Sequence, residues 1–354
     1  MRERRECEDT PAVLQQLAES ALRSWHTAVR EIRLIKMREN AVFRVVDSQG
    51  DAFALRVHHE GNHDDDALRS ELQWMSALKE DGVDVPTIVP AADGRLFVSV
   101  PMDGVRGVRQ VDLLRWIDGR QLGTSASGLS VDLADVEQTY RLIGNTAARL
   151  HNHATAWSPP QTFRRHHWDL EGLAGEQPLW GRFWDLEVLT SAERELLLHA
   201  RNEVRRQLCA LARRSDSRRR YSLIHADLVP ENLLLLSNGT VRLIDFDDCG
   251  FGWHLLELAT ALYFIQDDPS YEVAKAGLVA GYREYRDLPD VVLADLPTFM
   301  AARAFTYLGW VHTRPESKDG QAITPHLVRL ARRQAENLLC RHKSGVEESS
   351  AVLR

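Results

Sequence analysis

Cysteine is scarce in this chain. Cys7, Cys209, Cys249 and Cys340 lie far apart and form neither a CxxC pair nor a zinc-type cluster, so neither a disulfide framework nor a metal knuckle is expected. An excess of basic charge is also missing. Lys and Arg number 44 against 51 Asp and Glu, a formal net charge of -7, which argues against the broadly basic surface of a nucleic-acid binder. A cationic or neutral ligand is easier to picture. No apolar stretch reads as a bilayer span, and the opening MRERRECEDT carries both signs of charge and leads into no apolar signal region, so a soluble protein of a reducing cytoplasm, without membrane or nucleic-acid partner, is expected. No G-x-G-x-x-G loop precedes Val42, which leaves a glycine-rich phosphate cradle out of the reading.

What is present is an ordinary globular mixture, 44% hydrophobic and 27% charged over 354 residues, enough for a large core in two lobes. Thr10-Pro11 reads as a helix start, with Leu14, Leu17, Ala21 and Leu22 at helical spacing. AVFRVV and DAFALRV flank the turn-forming DSQGD as an antiparallel hairpin, a helix follows from about Asp66 to Lys79, and RLFVSV with VRQVDLLRW makes a second hairpin. After Asp118-Gly119 the texture turns helical. Val136, Tyr140, Ile143, Ala147 and Leu150 share one face, and Thr190 with Glu193 forms a capping-box start for a long helix. A β-rich island interrupts these helices at YSLIH and NLLLLSNGTVRLIDF, where Asn238-Gly239 is a strong hairpin signal. The reading is an α+β chain, with a small antiparallel-sheet lobe over residues 1–116, a mainly helical lobe over 117–341 and a frayed, solvated tail over 342–354.

Polar groups concentrate in the β-rich island. Asp227 and Asn232 stand five positions apart on a loop interrupted by Pro230, and Asp245 ends a strand that the Asn238-Gly239 turn folds back beside them. Three oxygen-bearing side chains can converge there. A carboxylate and an amide oxygen suit Mg²⁺, a hard cation that keeps several waters and phosphate oxygens, and phosphoryl transfer asks in addition for a carboxylate that orients the attacking hydroxyl and accepts its proton. Asp245 and Asn232 fit the first task and Asp227 the second. The competing explanation is a loop whose Asp and Asn cap turns; order, spacing and the intervening hairpin together favour the functional one.

The order His225, Asp227, Leu228, Asn232, then Ile244-Asp245, resembles the catalytic and metal-binding loops of protein kinases. HADLVPEN, IDFDDCGFG and Glu257-Leu258-Ala259 resemble more closely the aminoglycoside phosphotransferase and choline kinase branch, small-molecule kinases with a protein-kinase-like fold. The likeness in layout runs from about residue 30 to 340 and is sharp between His225 and Ala259. It implies ATP and Mg²⁺ as cofactors, a nucleotide and a small hydroxyl-bearing substrate as partners, His225 bracing the catalytic loop and Glu257 tying that loop to the lobe beneath. It implies, on the third strand, a basic residue that reaches the nucleotide phosphates. Arg56 stands where that branch more often has lysine, and Glu71 on the inward face of the following helix is its natural partner; a surface ion pair is the alternative. The turn from Met37 to Ala41 would cover the phosphates. Leu114 to Gly119 resembles the interlobe hinge, with backbone groups of Arg115 and Ile117 on the adenine edge, against an ordinary strand end.

Asp247 and Asp248 adjoin the metal aspartate, so that Asp248 is a candidate for a cationic acceptor, or both stabilise the next helix start. The HHWD run from His166 and the arginines from Arg213 to Arg220 read as polar packing and a solvated loop. No long activation segment follows IDFDD, which favours a small-molecule kinase for amino sugars, amino alcohols, macrolides or homoserine-like acceptors. A stress-type Ser/Thr protein kinase and a nucleotide-binding pseudokinase are the alternatives.

Overall fold

The structure is a computed structural model, and it describes residues 10–37, 40–59, 61, 63–101, 107–130 and 133–352. Two compact units divide the chain, one of residues 1–119 with 159–165 and one of 120–158 with 166–354. The single boundary at 116/117 read from the sequence omits the return of 159–165 to the first unit, where Arg164 N donates to Ser70 Oγ at 2.7 Å. No periodicity marks so short a strip.

In the first unit, helix α1 (Pro11–Leu22) starts on the Thr10 cap with Pro11 at its first position, where a missing N–H costs nothing. Strands β1 (Val29–Met37), β2 (Asn40–Asp47) and β3 (Ala52–His58) follow, then helix α2 (Asp65–Glu80) and strands β4 (Phe97–Pro101) and β5 (Val108–Arg115). They make one antiparallel sheet in the order β1-β2-β3-β5-β4. Alternation along β2, β3 and β5 sends Phe43, Val45, Phe53, Leu55, Val57, Val111 and Leu113 into one core with Leu14, Leu17 and Ala21 of α1. The same alternation sends Arg56 to the opposite face of β3, where α2 buries Leu68, Glu71, Leu72 and Met75.

The second unit opens with short strands β6 (Arg120–Gln121), β7 (Gly123–Thr124) and β8 (Gly128–Leu129), then helix α3 (Leu133–Ala156), strand β9 (His167–Trp168) and helices α4 (Leu170–Ala174) and α5 (Ser191–Ala212). Strands β10 (Tyr221–Ile224), β11 (Leu233–Leu235), β12 (Val241–Leu243) and β13 (Gly250–Trp253) form the island. Helices α6 (His254–Tyr263), α7 (Tyr271–Tyr285), α8 (Asp290–Leu293), α9 (Leu296–His312) and α10 (Lys318–Val352) complete it. The reciprocal capping box of Thr190 and Glu193 starts α5. β11 and β12 pair across the turn at Gly239, whose φ of 80° needs glycine's freedom. Helices α3 and α7 approach backbone to backbone, because a Cβ on Gly144, Gly277 or Gly281 would fall on a carbonyl of the facing helix.

One expectation is corrected. The stretch 290–312 is long and apolar enough to cross a membrane, with a mean hydropathy of 1.2. It nonetheless forms core helix, since 72% of that window is buried and Arg303 sits inside it. Helix α10 runs as far as Val352; residues 353–354 lie outside the described residues.

Candidate active site

The loop after β10 is held from below by one carboxylate. Glu257, fully buried in the first turn of α6, accepts the N–H of His225 at 2.8 Å through Oε1 and that of Ala226 at 2.7 Å through Oε2. Burial opposes its charge, but the neighbouring His151 and His225, with the His225 N–H, outweigh it and hold the carboxyl below its usual range. The loop turns sharply where Ala226 takes the left-handed φ of 66°, a conformation costly for any residue with a Cβ.

His225 links the two functional segments. Its Nδ1 accepts the N–H of Asp227 at 3.2 Å, so the proton sits on Nε2, which donates to Ile244 O at 3.2 Å. That neutral tautomer agrees with burial, which pushes the imidazole below its ordinary value despite the charges of Glu257 and Asp245. The Ile244 N–H in turn donates to Asn232 O at 2.9 Å. The strand end that carries Asp245 is thereby fixed to the loop that carries Asn232. Asp245 itself has a φ of 69°, a second left-handed residue beside the first.

Asn232 Nδ2 donates to Asp227 O at 3.1 Å and to Asp227 Oδ2 at 2.6 Å. Both partners can only accept, so the amide must present its NH₂ to them and turn Oδ1 away. An oxygen so oriented, on the residue whose carbonyl accepts the Ile244 N–H, fits a hard divalent cation that keeps waters and phosphate oxygens in its other positions. Among the described residues no cluster of three or more His, Cys, Asp or Glu side chains has metal-binding geometry.

The loop has two further supports that the sequence reading did not single out. Glu231 accepts the N–H and the hydroxyl of Ser125, and its own carbonyl accepts Gln121 Nε2 at 2.9 Å, which anchors the residue before Asn232 to the β6–β8 strip. Arg303 of α9 donates from Nη2 to Asp227 Oδ1 at 3.2 Å. It stood in an apolar helical run, AARAFTYLG, where a lone arginine was the available signal. Asp248 has its carbonyl clamped at 3.1 Å by both His166 Nε2 and Trp168 Nε1. The HHWD run thus braces the segment after Asp245.

In the first unit Arg56 belongs to a buried cluster rather than to one pair. Its Nη1 lies 2.9 Å from Glu71 Oε1, while Nε and Nη2 form a fork on Asp112 at 2.9 and 2.8 Å. His58 Nε2 meets the same Asp112 carboxylate at 2.7 Å, and Arg165 Nη1 lies 4.0 Å from Glu71 Oε2. Asp112 faces Arg56 directly across β3 and β5, and His58 follows two residues on, on the same face. Burial raises the Asp112 carboxyl, but Arg56 and His58 reverse that and hold it below its usual range. At the strand end, the Arg115 N–H is spent on Thr87 O at 2.8 Å, and Arg115 Nη1 pairs with Asp51 at 2.9 Å. Of the Arg115 backbone groups the N–H is thus occupied, whereas Ile117, half-buried, makes no backbone hydrogen bond among the described residues. Arg38 and Glu39, the centre of the turn expected over the phosphates, lie outside the described residues.

The model of the phosphotransferase enzyme family, APH, matches residues 31–289. The chain belongs to this family. A structure of a microcompartment-associated aminopropanol kinase is 33% identical and superposes with a TM-score of 0.79 over 92% of this chain and 98% of its own. Amicoumacin kinase of Bacillus subtilis (strain 168) is 27% identical over 314 residues, 84% of each chain. An amicoumacin kinase in complex with AMP-PNP, Ca²⁺ and Ami, 22% identical with a TM-score of 0.72 over 91% of this chain and 93% of its own, shares the fold. This phosphotransferase has the protein-kinase-like α+β fold and is a small-molecule kinase that acts on hydroxyl groups.

Proposed function

We propose that this phosphotransferase uses ATP and Mg²⁺ to move the γ-phosphoryl group to a hydroxyl of a small amine-bearing acceptor, of the amino alcohol, amino sugar or homoserine-like kind. The observation that carries the reading is the Asp227 carboxylate, 22% exposed and held on Oδ2 by Asn232. Asp227 would orient the acceptor hydroxyl and take its proton as the hydroxyl oxygen bonds phosphorus and the bond from the γ-phosphorus to the leaving ADP oxygen breaks. Asn232 Oδ1 and Asp245 would hold the metal, which when bound supplies charge neutralisation of the phosphates. Glu257 and His225 fix the backbone of both segments. Arg56, Glu71 and Ile117 are the residues of the first unit proposed for the nucleotide, and Asp248 for an acceptor ammonium. The names of the relatives support an acceptor that carries an amine near its hydroxyl.

Purified protein with Mg²⁺ and ATP is expected to release ADP on addition of aminopropanol, homoserine, an amicoumacin or an aminoglycoside, with one of them clearly preferred. Asp227→Asn should lower that turnover by about 100-fold or more while nucleotide affinity is retained. ADP release that is equal in wild type and variant would overturn the assignment of the base. The Arg56–Asp112 fork favours one second reading, a nucleotide-binding scaffold without turnover, since the guanidinium is already engaged. ATP binding by calorimetry without ADP release on any acceptor would select it.

A further inference from the structure

Asn232 anchors the Asp227 carboxylate from within the same loop, and a further anchor comes from 76 residues away. Asn232 holds Oδ2, and Arg303 Nη2 holds Oδ1 at 3.2 Å. Arg303 lies midway along α9 and is fully buried. Its guanidinium carbon lies 4.3 Å from the ring centre of Tyr307, 4.8 Å from that of Trp180 and 5.7 Å from that of Trp168. The Trp168 ring is itself fixed by its Nε1 bond to Asp248 O. Arg303 Nε and Nη1 have no hydrogen-bond partner among the described residues. A buried guanidinium is costly unless its charge is compensated, and the rings and the Asp227 carboxylate around Arg303 supply that compensation. The charge is kept: burial opposes it, and Tyr307, Asp227 and Asp248 outweigh burial.

We propose that Arg303 is a positioning residue, whose ring-clamped guanidinium fixes Oδ1 of Asp227 so that the carboxylate holds one orientation toward the acceptor hydroxyl. With Oδ2 tied to Asn232 and Oδ1 to Arg303, rotation about the Cβ–Cγ bond of Asp227 breaks two bonds at once. A planar cation suits the task better than an ammonium, since its fork points a fixed N–H at the carboxylate while the rings surround it. The inference rests on the reading of Asp227 as the base.

The test is a double-mutant cycle on the full chain. Arg303→Met and Arg303→Lys are made in wild type and in Asp227→Asn, their folding is checked by urea denaturation, and ADP release from Mg-ATP is measured with aminopropanol as the acceptor. In the wild-type background kcat should fall by about tenfold or more with KM for ATP little changed. In the Asp227→Asn background the same substitution should change turnover by less than about twofold, because two residues acting as one unit are not additive. An equal loss in both backgrounds, or a folded variant with wild-type kcat, overturns the proposal. Arg303→Lys serves where Arg303→Met does not fold, and is expected to lose activity as well. A crystal structure of the variant gives a readout free of turnover, with Asp227 rotated off Asn232 or spread over rotamers. An unmoved carboxylate overturns the inference, whereas an inactive wild type with a displaced Asp227 in the variant counts against the proposed function alone.

Discussion

At the scale of single residues, the loop tolerates a strained alanine because Glu257 grips the N–H of residue 226 as well as that of residue 225. Replacing Ala226 with glycine removes about 1–2 kcal/mol of left-handed strain but adds backbone entropy and forfeits a buried methyl worth about 0.8 kcal/mol. Ala226→Gly should therefore unfold within about 1 kcal/mol of wild type, whereas Ala226→Val, β-branched at a positive φ in a fully buried place, should lose about 2 kcal/mol or more. Urea denaturation of both variants checks this, and a wild-type midpoint for Ala226→Val would contradict the strain. Arg56 makes a second case. Lysine cannot reproduce the fork on Asp112, so Arg56→Lys should cost about 1–3 kcal/mol of stability, and a midpoint at or above that of wild type would count against the fork. The approach of the Asp227–Asn232 loop to the strand end before Asp245 was legible in the sequence because one hairpin separates them. Asp112 and Arg303 were not, since each meets its partner only through the register of β3 on β5 or the seating of α9.

At the scale of elements, the helices and hairpins with clear periodicity were readable, and the misses follow from chemistry. β1 is an edge strand that exposes Val29, Ile35 and Met37 on the same face as Glu31 and Arg33 and turns Ile32 and Leu34 half-buried toward the core, so apolar residues on both faces blur its alternation. The α3–α7 contact was equally hidden, because a glycine in a helix reads as a weakness until the facing backbone is known. Gly277 and Gly281 stand one turn apart and let α7 close onto the carbonyls of Glu137 and Arg141, while Gly144 does the same for α3 against Leu278. In an isolated helix alanine would be favoured by about 1 kcal/mol. Here the sign reverses. Gly281→Ala should destabilise by at least about 2 kcal/mol, since the obstacle is backbone and cannot swing aside. A rise in thermal midpoint for Gly281→Ala would show that the two helices can part without cost.

At the scale of the whole molecule, the second unit carries a set of buried histidines that makes its stability depend on pH. His151 and His254 stack at 4.1 Å, His151 Nδ1 meets Tyr282 Oη at 2.8 Å, and His254 Nε2 meets Ser222 Oγ at 2.8 Å. His225 is buried in the loop after β10. Burial pushes all three imidazoles below their ordinary value, His254 most strongly, with His151 and the nearby Arg286 and Arg220 adding to the fall at His254. The unfolded chain, with histidines near about 6.5, then takes up protons that the folded chain refuses, so unfolding gains on folding as pH drops. The stabilisation is complete above the unfolded value and is lost as pH falls below it. Each fully refused proton costs about 1.4 kcal/mol per pH unit. Asp112 and Glu257, held below their usual ranges, add their own losses only at more acid pH, below about 4, which leaves the interval between to the histidines. Urea midpoints taken from pH 7.5 down to 5 should thus decline once pH passes below about 6.5. His254→Gln, which keeps a side chain able to bond Ser222 but cannot take the proton, should flatten the decline. A midpoint that holds level across that interval would mean that the folded unit accepts the protons, and the stacked pair would have to open without loss of structure.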